Sequence, residues 1–190
     1  NLIENSEQIY QCFGHCEQSQ GVIWLPPYHD MGLIGGILQP LYGAFPVTLM
    51  SPLHFLQKPL RWLQAITRYQ ATTSGGPNFA YELCIRKTSA AERAKLELHA
   101  WELAFNGAEP IRPETLERFS ATFGPCGFKR SYFYPCYGLA EATLIVSGGD
   151  RHAEPITETF DARHLLAHQV AHVEASSPDA RKFVACGVAL

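Results

Sequence analysis

A regular alternation of short apolar runs with helix-forming segments is the feature of this sequence that most constrains its fold. The runs are rich in β-branched, aromatic and small residues, and they do not alternate with charged ones. They are GVIWLP (21–26), PVTLM (46–50), ATTSGG (71–76), WELAFNG (101–107) and SYFYPCYG (131–138). Continuous strands of this kind, separated by helices, are typical of a parallel sheet that is covered on both faces. We therefore predict an α/β fold in which helices flank a mostly parallel sheet.

Helix signals fill most of the segments between these strands. Apolar residues recur there at helical spacing, Asp30 is a good N-cap, and Pro77 and Pro113 stand at the start of helical patterns, where proline is favoured. The predicted helices cover 2–16, 31–43, 58–70, 77–87, 89–98 and 112–124.

The sequence changes character after Gly149. Residues 150–181 contain more charge and four histidines, and they predict a short strand, a helical turn at 161–169, a strand at 170–175 and a loop. We therefore divide the chain into 1–149, the α/β unit, and 150–190, an insertion with a small β-rich element and the start of a further subdomain. Because the chain begins inside an amphipathic pattern and ends on an apolar run, we expect a fragment that is truncated at both ends.

Charge and composition exclude several classes of function. A formal net charge of −3 provides no basic surface for nucleic acid. We expect no secretion leader, and no apolar run approaches the roughly 20 residues that a transmembrane segment needs. Among the six cysteines only Cys12 and Cys16 stand close together, around His15, and no second pair completes a zinc site. We expect a cytoplasmic protein with free thiols.

Polar, glycine-bearing segments follow four of the predicted strands. They are PPYHD (26–30), SGGPN (74–78), NGAEP (106–110) and YGLAE (137–141). Because ligands of open α/β sheets bind beyond the carboxyl ends of the strands, we expect these four loops to form the wall of one pocket.

Several residues of these loops allow two interpretations. Glu141 could hold a divalent cation against phosphate oxygens, but an acid that caps the start of a helix is the commoner case. His29 could contact a carboxylate substrate or form a structural hydrogen bond, and Asp30 is interpreted as a cap. Asn106–Pro110 could face a flat heterocycle or form an ordinary turn. The small residues of GGPNFAY (75–81) could border a narrow apolar channel or allow close packing.

The fingerprints of Rossmann, Walker and α/β-hydrolase sites are absent. In combination and in this order, however, the stretches WLPPYHDMGL, TSGGPNFAYEL, NGAEPI and YPCYGLAEATL resemble the acyl-adenylate-forming superfamily of AMP-dependent synthetases and ligases. Within it, the sequence is most similar to the fatty acyl-AMP ligases. The resemblance extends from Trp24 to about Gly187, which is most of the chain.

This resemblance implies an internal fragment of the N-terminal domain of an enzyme that activates a long-chain fatty acid with ATP and Mg²⁺. The acid would become an acyl adenylate, pyrophosphate would leave, and the acyl group would pass to a phosphopantetheinylated acyl carrier protein in polyketide, nonribosomal peptide or lipid biosynthesis. Residues 1–149 would be a partial adenylation domain, and 150–190 would include the insertion that distinguishes this branch.

The resemblance also implies roles for individual residues. Glu141 would be the Mg²⁺-coordinating acid, and His29 would lie where the acyl carboxylate meets the α-phosphate. The nucleotide would contact Asn106, Gly107, Ala108, Glu109, Tyr137, Gly138, Leu139 and Ala140. The alkyl chain would pass along Gly76, Pro77, Asn78 and Phe79.

Ala140 stands where many members of the superfamily have threonine, and alanine at this place is familiar in the fatty acyl-AMP branch. The phosphate loop and the C-terminal lysine domain of the family would lie outside these residues, so we expect the fragment alone to be inactive. Two alternatives stay open, an acyl-CoA ligase of the same chemistry and a non-catalytic, adenylate-binding-like module.

Overall fold

A computed structural model describes residues 1–190. The helices are α1 Leu2–Phe13, α2 Met31–Leu38 continued by Gln39–Tyr42, α3 Pro52–Gln57, α4 Leu60–Tyr69, α5 Asn78–Lys87, α6 Ala90–Arg93, α7 Pro113–Phe123 and α8 Ala162–Leu166. The strands are β1 Gly21–Ile23, β2 Val47–Leu49, β3 Thr73–Gly75, β4 Leu103–Asn106, β5 Phe133–Gly138, β6 Ile145–Gly148, β7 Thr157–Asp161, β8 Ala180–Val184 and β9 Val188–Ala189. No helix among them combines the length and the hydropathy needed to cross a bilayer.

Seven strands form one sheet in the order β2-β1-β3-β4-β5-β6-β9. The pairs that join β2, β1, β3, β4 and β5 are parallel, whereas β6 and β9 add antiparallel pairs at one edge. The strands β7 and β8 form a separate antiparallel pair. The predicted α/β fold, with a mostly parallel sheet and a small β-rich element near its C-terminal end, is confirmed.

The main core packs the sheet against α4, α5 and α7. Trp62 and Trp101 are fully buried there, with ring centroids 5.2 Å apart. Both indole N–H groups donate to Ser74, Trp62 to the hydroxyl oxygen at 2.8 Å and Trp101 to the carbonyl oxygen at 3.1 Å. A buried indole needs a partner for its N–H group, so these bonds tie the centre of β3 to α4 and to the segment that precedes β4.

The helix α2 begins where the sequence predicts it, but its first two turns are π-helical. Asp30 caps it as expected, because its Oδ1 accepts a hydrogen bond of 2.7 Å from the backbone N–H of Met31. The helix also packs unusually close to the preceding loop, since a Cβ on Gly32 would lie 2.0 Å from the carbonyl oxygen of Pro26. π-Helical turns are often found at functional sites.

The strand β5 continues to Gly138, as the sequence predicts, but its pairing register with β6 shifts between Tyr137 and Gly138. This shift is a β-bulge, and it lets the chain turn through residues 140–142 into the antiparallel strand β6. A Cβ on Gly138 would lie 2.1 Å from the carbonyl oxygen of Leu144. The hairpin itself therefore requires the glycine, whatever else approaches this turn.

Three predicted elements differ from the structure. The strand expected at 170–175 is wrong, because only an isolated bridge joins His172 to Phe160 there. The helix expected over 89–98 is a single turn, Ala90–Arg93, closed by a capping box between Ser89 and Glu92. The segment 131–132 is a 3₁₀ turn rather than the start of β5. The strand at 170–175 fails because it has no neighbouring strand over its length.

Candidate active site

An apolar cavity of about 260 Å³ runs along one face of the sheet. Thirteen of its 22 lining residues are hydrophobic, and they come from α1, α2, the strands and the β5–β6 turn. At one end lie Gly21, Val47 and Thr73, the first residues of β1, β2 and β3. At the other end lie the loops that follow β1, β4 and β5. The cavity thus follows the strand direction from the amino ends to the carboxyl ends.

The length of the cavity follows from the strand register. Thr73 lies level with Leu103 in the neighbouring strand, four residues before Gly107. Strands advance roughly 3.3 Å per residue, so the two ends are about 13 Å apart.

Three of the four polar loops meet at the carboxyl end of this cavity. They contribute His29 and Asp30, then Gly107 and Ala108, then Tyr137, Gly138 and Leu139. The convergence of these loops was the central expectation from the sequence. The fourth loop reaches the same edge indirectly, because the backbone N–H of Phe79 donates to Glu109 Oε1 at 2.5 Å.

His29 is oriented by its neighbour Asp30. Its Nδ1 lies 2.6 Å from Asp30 Oδ1, and 51% of its side chain is exposed. A separation this short to a carboxylate oxygen requires the hydrogen on Nδ1, so the N–H group of Met31 bonds to the carboxylate rather than to the ring. The Nε2 atom has no protein partner and is left to interact with a ligand at the mouth of the cavity.

The loop after β4 divides its residues between the cavity and the interior. Gly107 and Ala108 line the cavity, and Ala108 adopts a left-handed conformation with φ 65°. Asn106 is fully buried, and neither polar atom of its side chain has a hydrogen-bond partner. An unpaired buried amide is unusual, because it retains the full cost of desolvation. Glu109 is exposed and is held by Phe79.

The loop after β5 ends in an exposed acid beside a strained residue. Glu141 lies in the 3₁₀ turn Ala140–Ala142, is exposed, and forms neither an ion pair nor a hydrogen bond with another side chain. Neither Ala140 nor Glu141 lines the cavity, whereas Tyr137 does and is 53% exposed. Thr143 follows with φ 79° and ψ −66°, a rare γ-turn conformation that is costly for a β-branched residue.

A lone carboxylate suits one kind of metal site. No group of three or more His, Cys, Asp or Glu side chains is clustered so as to hold a metal ion. Mg²⁺ usually keeps several waters and binds through one or two carboxylates together with substrate phosphates, rather than in an all-protein cage. Glu141 fits a magnesium ion that is shared with a nucleotide.

The segment from Gly76 to Phe79 lies outside the cavity. Gly76 packs on Trp24, since a Cβ there would lie 2.7 Å from Trp24 Cζ2. Asn78 is buried and bonds to Thr115 and to the backbone N–H of Arg112. The role of these residues along an alkyl chain therefore stays a prediction, and the apolar cavity offers a different set of residues.

The amino end of the cavity contains a polar group that sequence reasoning missed. His15 Nε2 lies 3.4 Å from Thr73 Oγ1, and His15 Nδ1 lies 3.5 Å from Gln39 Nε2. Because the amide nitrogen of Gln39 can only donate, the neutral ring carries its hydrogen on Nε2 and donates to Thr73. Burial, assisted by the positive charge of Arg151, lowers the pKa of His15 to about 4. The only sequence signal was the spacing around Cys12 and Cys16, which concerns a different chemistry.

Comparisons with known proteins bear on the family and the fold. The model of a family described as "AMP-binding enzyme" matches residues 1–174. The chain is 48% identical to a medium-chain-fatty-acid–[acyl-carrier-protein] ligase, TtuA, of Teredinibacter turnerae, covering 98% of this chain and 29% of that protein. It is 46% identical to a ligase of the same description, JamA, of Moorena producens, covering 98% and 32%.

A solved structure shows the same fold. It is the fatty acyl-adenylate ligase from L. pneumophila in complex with acyl adenylate and pyrophosphate, with a TM-score of 0.95 and 45% identity. The match covers 99% of this chain and 33% of that one. The chain thus spans about a third of the length of the relatives that it matches.

Proposed function

Because the chain belongs to the family of AMP-binding enzymes and resembles fatty acyl-AMP ligases within it, we propose that it forms the acyl-binding part and one wall of the nucleotide site of such a ligase. The observation that carries this proposal is the apolar cavity, which ends at a cluster of polar loops. A fatty acid fits this arrangement, since its alkyl chain needs an apolar slot and its carboxylate a polar mouth.

The reaction that this site would serve is adenylation of the acid. A carboxylate oxygen attacks the α-phosphorus of ATP and forms a new P–O bond, while the bond to the bridging oxygen breaks. Pyrophosphate leaves with the electron pair, and the product is an acyl adenylate. Phosphoryl and nucleotidyl transfers of this type depend mainly on positioning and on charge stabilisation.

The residues of this chain would divide that work between the two sides of the mouth. His29, whose Nδ1–H is held by Asp30, would donate from Nε2 to the acyl carboxylate or an α-phosphate oxygen when the ring is protonated, and this hydrogen bond would be charge-assisted. Gly107, Ala108 and Tyr137 would form the surface on which the nucleotide lies.

Glu141 would hold Mg²⁺ together with the phosphates. A bound magnesium ion neutralises charge that develops on the phosphate oxygens and the leaving pyrophosphate. The exposure of Glu141, and its lack of any protein partner, leave its carboxylate free for this role.

The dimensions of the cavity favour an acid of medium length rather than the long chain inferred from the sequence. An extended chain advances about 1.2 Å per bond, so the separation of about 13 Å accommodates roughly eleven bonds. This length points to an acid of about ten carbons.

The acceptor of the acyl group would be the phosphopantetheine thiol of an acyl carrier protein, as the names of TtuA and JamA suggest for those proteins. All six cysteines are free, which fits a reducing, cytoplasmic location. The ribose-side and lysine-bearing parts of the catalytic machinery would come from the rest of a full-length enzyme, so the 190 residues alone would be inactive.

The test uses the full-length protein, because the proposed site needs all its walls. It is incubated with ATP, Mg²⁺ and decanoic acid, and exchange of labelled pyrophosphate into ATP is measured. The proposal expects exchange that depends on the acid, followed by transfer to holo acyl carrier protein in preference to CoA. Absence of exchange with every fatty acid tested would overturn the proposal, and preferential formation of the CoA thioester would reject the acceptor.

A further inference from the structure

His15 and Thr73 lie between two separate voids. Both residues line the apolar cavity, and both also line an outer groove of about 240 Å³. The outer groove is polar, because its other walls include Gln18, Ser19 and the charged side chains of Glu102 and Arg151. The pair therefore forms part of the partition between an apolar slot and a groove with charged walls.

The partition is fixed rather than loosely placed. His15 is 8% exposed and Thr73 is 6% exposed. The imidazole stacks obliquely on Phe45, with ring centroids 4.7 Å apart, and meets the edge of Phe13 at 5.5 Å. Contacts with Thr73 and Gln39 engage both of its nitrogens. Side chains that are held on several sides have little freedom to swing away from an incoming ligand.

We propose that the His15–Thr73 pair closes the acyl cavity at the amino ends of the strands and so determines the longest fatty acid that the enzyme accepts. This inference rests on the proposed function, because it gives a length limit to the same site. The position fits the role: the pair lies about 13 Å from the loops where the carboxylate would be held, so it would meet the far end of the alkyl chain.

The chemistry of the partition explains why it would stop an alkyl chain. A terminal methyl group that reaches the pair meets a neutral imidazole and a threonine methyl, both acceptable to an apolar chain. One step further, it would enter the groove beside Arg151 and Glu102, whose charged groups lie 3.6 Å apart. Polar groups there would lose water without gaining a hydrogen bond. Each added methylene would therefore add little or no binding free energy.

The test measures the chain-length profile of His15→Ala in the full-length protein. Pyrophosphate exchange is followed with saturated acids from eight to sixteen carbons. Removal of the ring should connect the two voids and raise the rate with tetradecanoic acid relative to decanoic acid on the order of tenfold, because added methylenes then find buried space. The matched control is Gln18→Ala, which alters the outer groove alone and should keep the wild-type profile.

A second variant covers the case in which His15→Ala does not fold. Thr73→Ser removes one methyl group from the same partition and keeps the hydroxyl that meets His15, so it should shift the profile in the same direction by a smaller factor. Melting temperatures identify which variants are folded. Folded variants with an unchanged profile would overturn the length limit while leaving the proposed function intact. A wild-type protein that exchanges with no fatty acid would instead refute the proposed function itself.

Discussion

Arg151 and Gly14 are in direct contact although 137 residues separate them. The guanidinium Nη1 donates to the carbonyl oxygen of Gly14 at 2.8 Å and to that of Phe13 at 2.9 Å. These carbonyls lie at the end of α1, where a cation also interacts favourably with the helix dipole. One side chain from the start of the predicted insertion thus completes the helix that borders the amino end of the cavity.

Arg151→Ala should therefore destabilise the protein. Two charge-assisted hydrogen bonds to otherwise unpaired carbonyls would be lost, and we expect a decrease of about 1–3 kcal/mol in the free energy of unfolding. Thermal unfolding of the full-length protein measures the change. Arg181→Ala is the matched control, since Arg181 is exposed and forms no ion pair. Equal melting temperatures of the two variants would contradict a capping role for Arg151.

Glu141→Gln should abolish most of the activity at little cost in stability. The amide keeps the shape of the side chain but loses the charge that would hold Mg²⁺, and we expect pyrophosphate exchange to decrease on the order of 100-fold. Because Glu141 has no protein partner, the melting temperature should stay within about 1 °C of the wild type. Glu114→Gln, at another exposed acid, should behave as the wild type. A rate that Glu141→Gln leaves unchanged would remove the metal role from this residue.

Asn106→Leu should stabilise the protein in the absence of ligands. The buried amide has no partner, so an apolar side chain of similar volume should raise the free energy of unfolding by about 1 kcal/mol. Asn5→Leu is the opposite control, because Asn5 exchanges two hydrogen bonds with the backbone of Ile145, at 2.8 and 3.1 Å. Chemical denaturation measures both changes. A loss of stability in Asn106→Leu would show that the amide is paired in solution.

The stability of the protein should depend on pH through His15. Its pKa is lowered to about 4 in the folded state from its ordinary value of 6.5 because the ring is buried, so the unfolded chain binds the proton more readily. This contribution is fully present above pH 6.5 and is lost as the pH falls from about 6.5 to about 4. The loss is at most about 3 kcal/mol. His15→Gln should flatten this part of the profile, and a slope equal to that of the wild type would contradict it.

The sequence predicts the five parallel strands, most helices and three of the converging loops, because each depends on a local pattern. Asp30 predicts the start of α2 as a capping residue, but no sequence pattern predicts that the helix begins in π-helical form. In the structure this form accompanies the close approach of Gly32 to Pro26. The strand at 170–175 was wrong because its apolar residues find no neighbouring strand to pair with over their length.

The cavity itself could not be predicted from any single stretch. Its amino end joins His15 after α1 to Thr73 of β3 and to Phe45 before β2, which only the tertiary fold brings together. The carboxyl end of the cavity could be predicted from the motif loops, because short polar segments follow the strands there. The alkyl chain was therefore predicted along Gly76–Phe79, inside a motif, whereas most residues at the amino end of the slot belong to no motif.

Filling the cavity tests most directly whether it holds the acyl chain. Gly35 lies in the middle of α2 and lines the cavity beside Leu144. The substitution Gly35→Leu would therefore place a branched side chain in the cavity. Gly124→Leu is the control, because nothing lies within 4 Å of a Cβ at that position. The measurement is pyrophosphate exchange by the full-length variants with decanoic and butanoic acids. We expect Gly35→Leu to lose exchange with decanoic acid while retaining it with butanoic acid at high concentration; an unchanged ratio of the two rates would contradict the assignment of this cavity to the fatty acid.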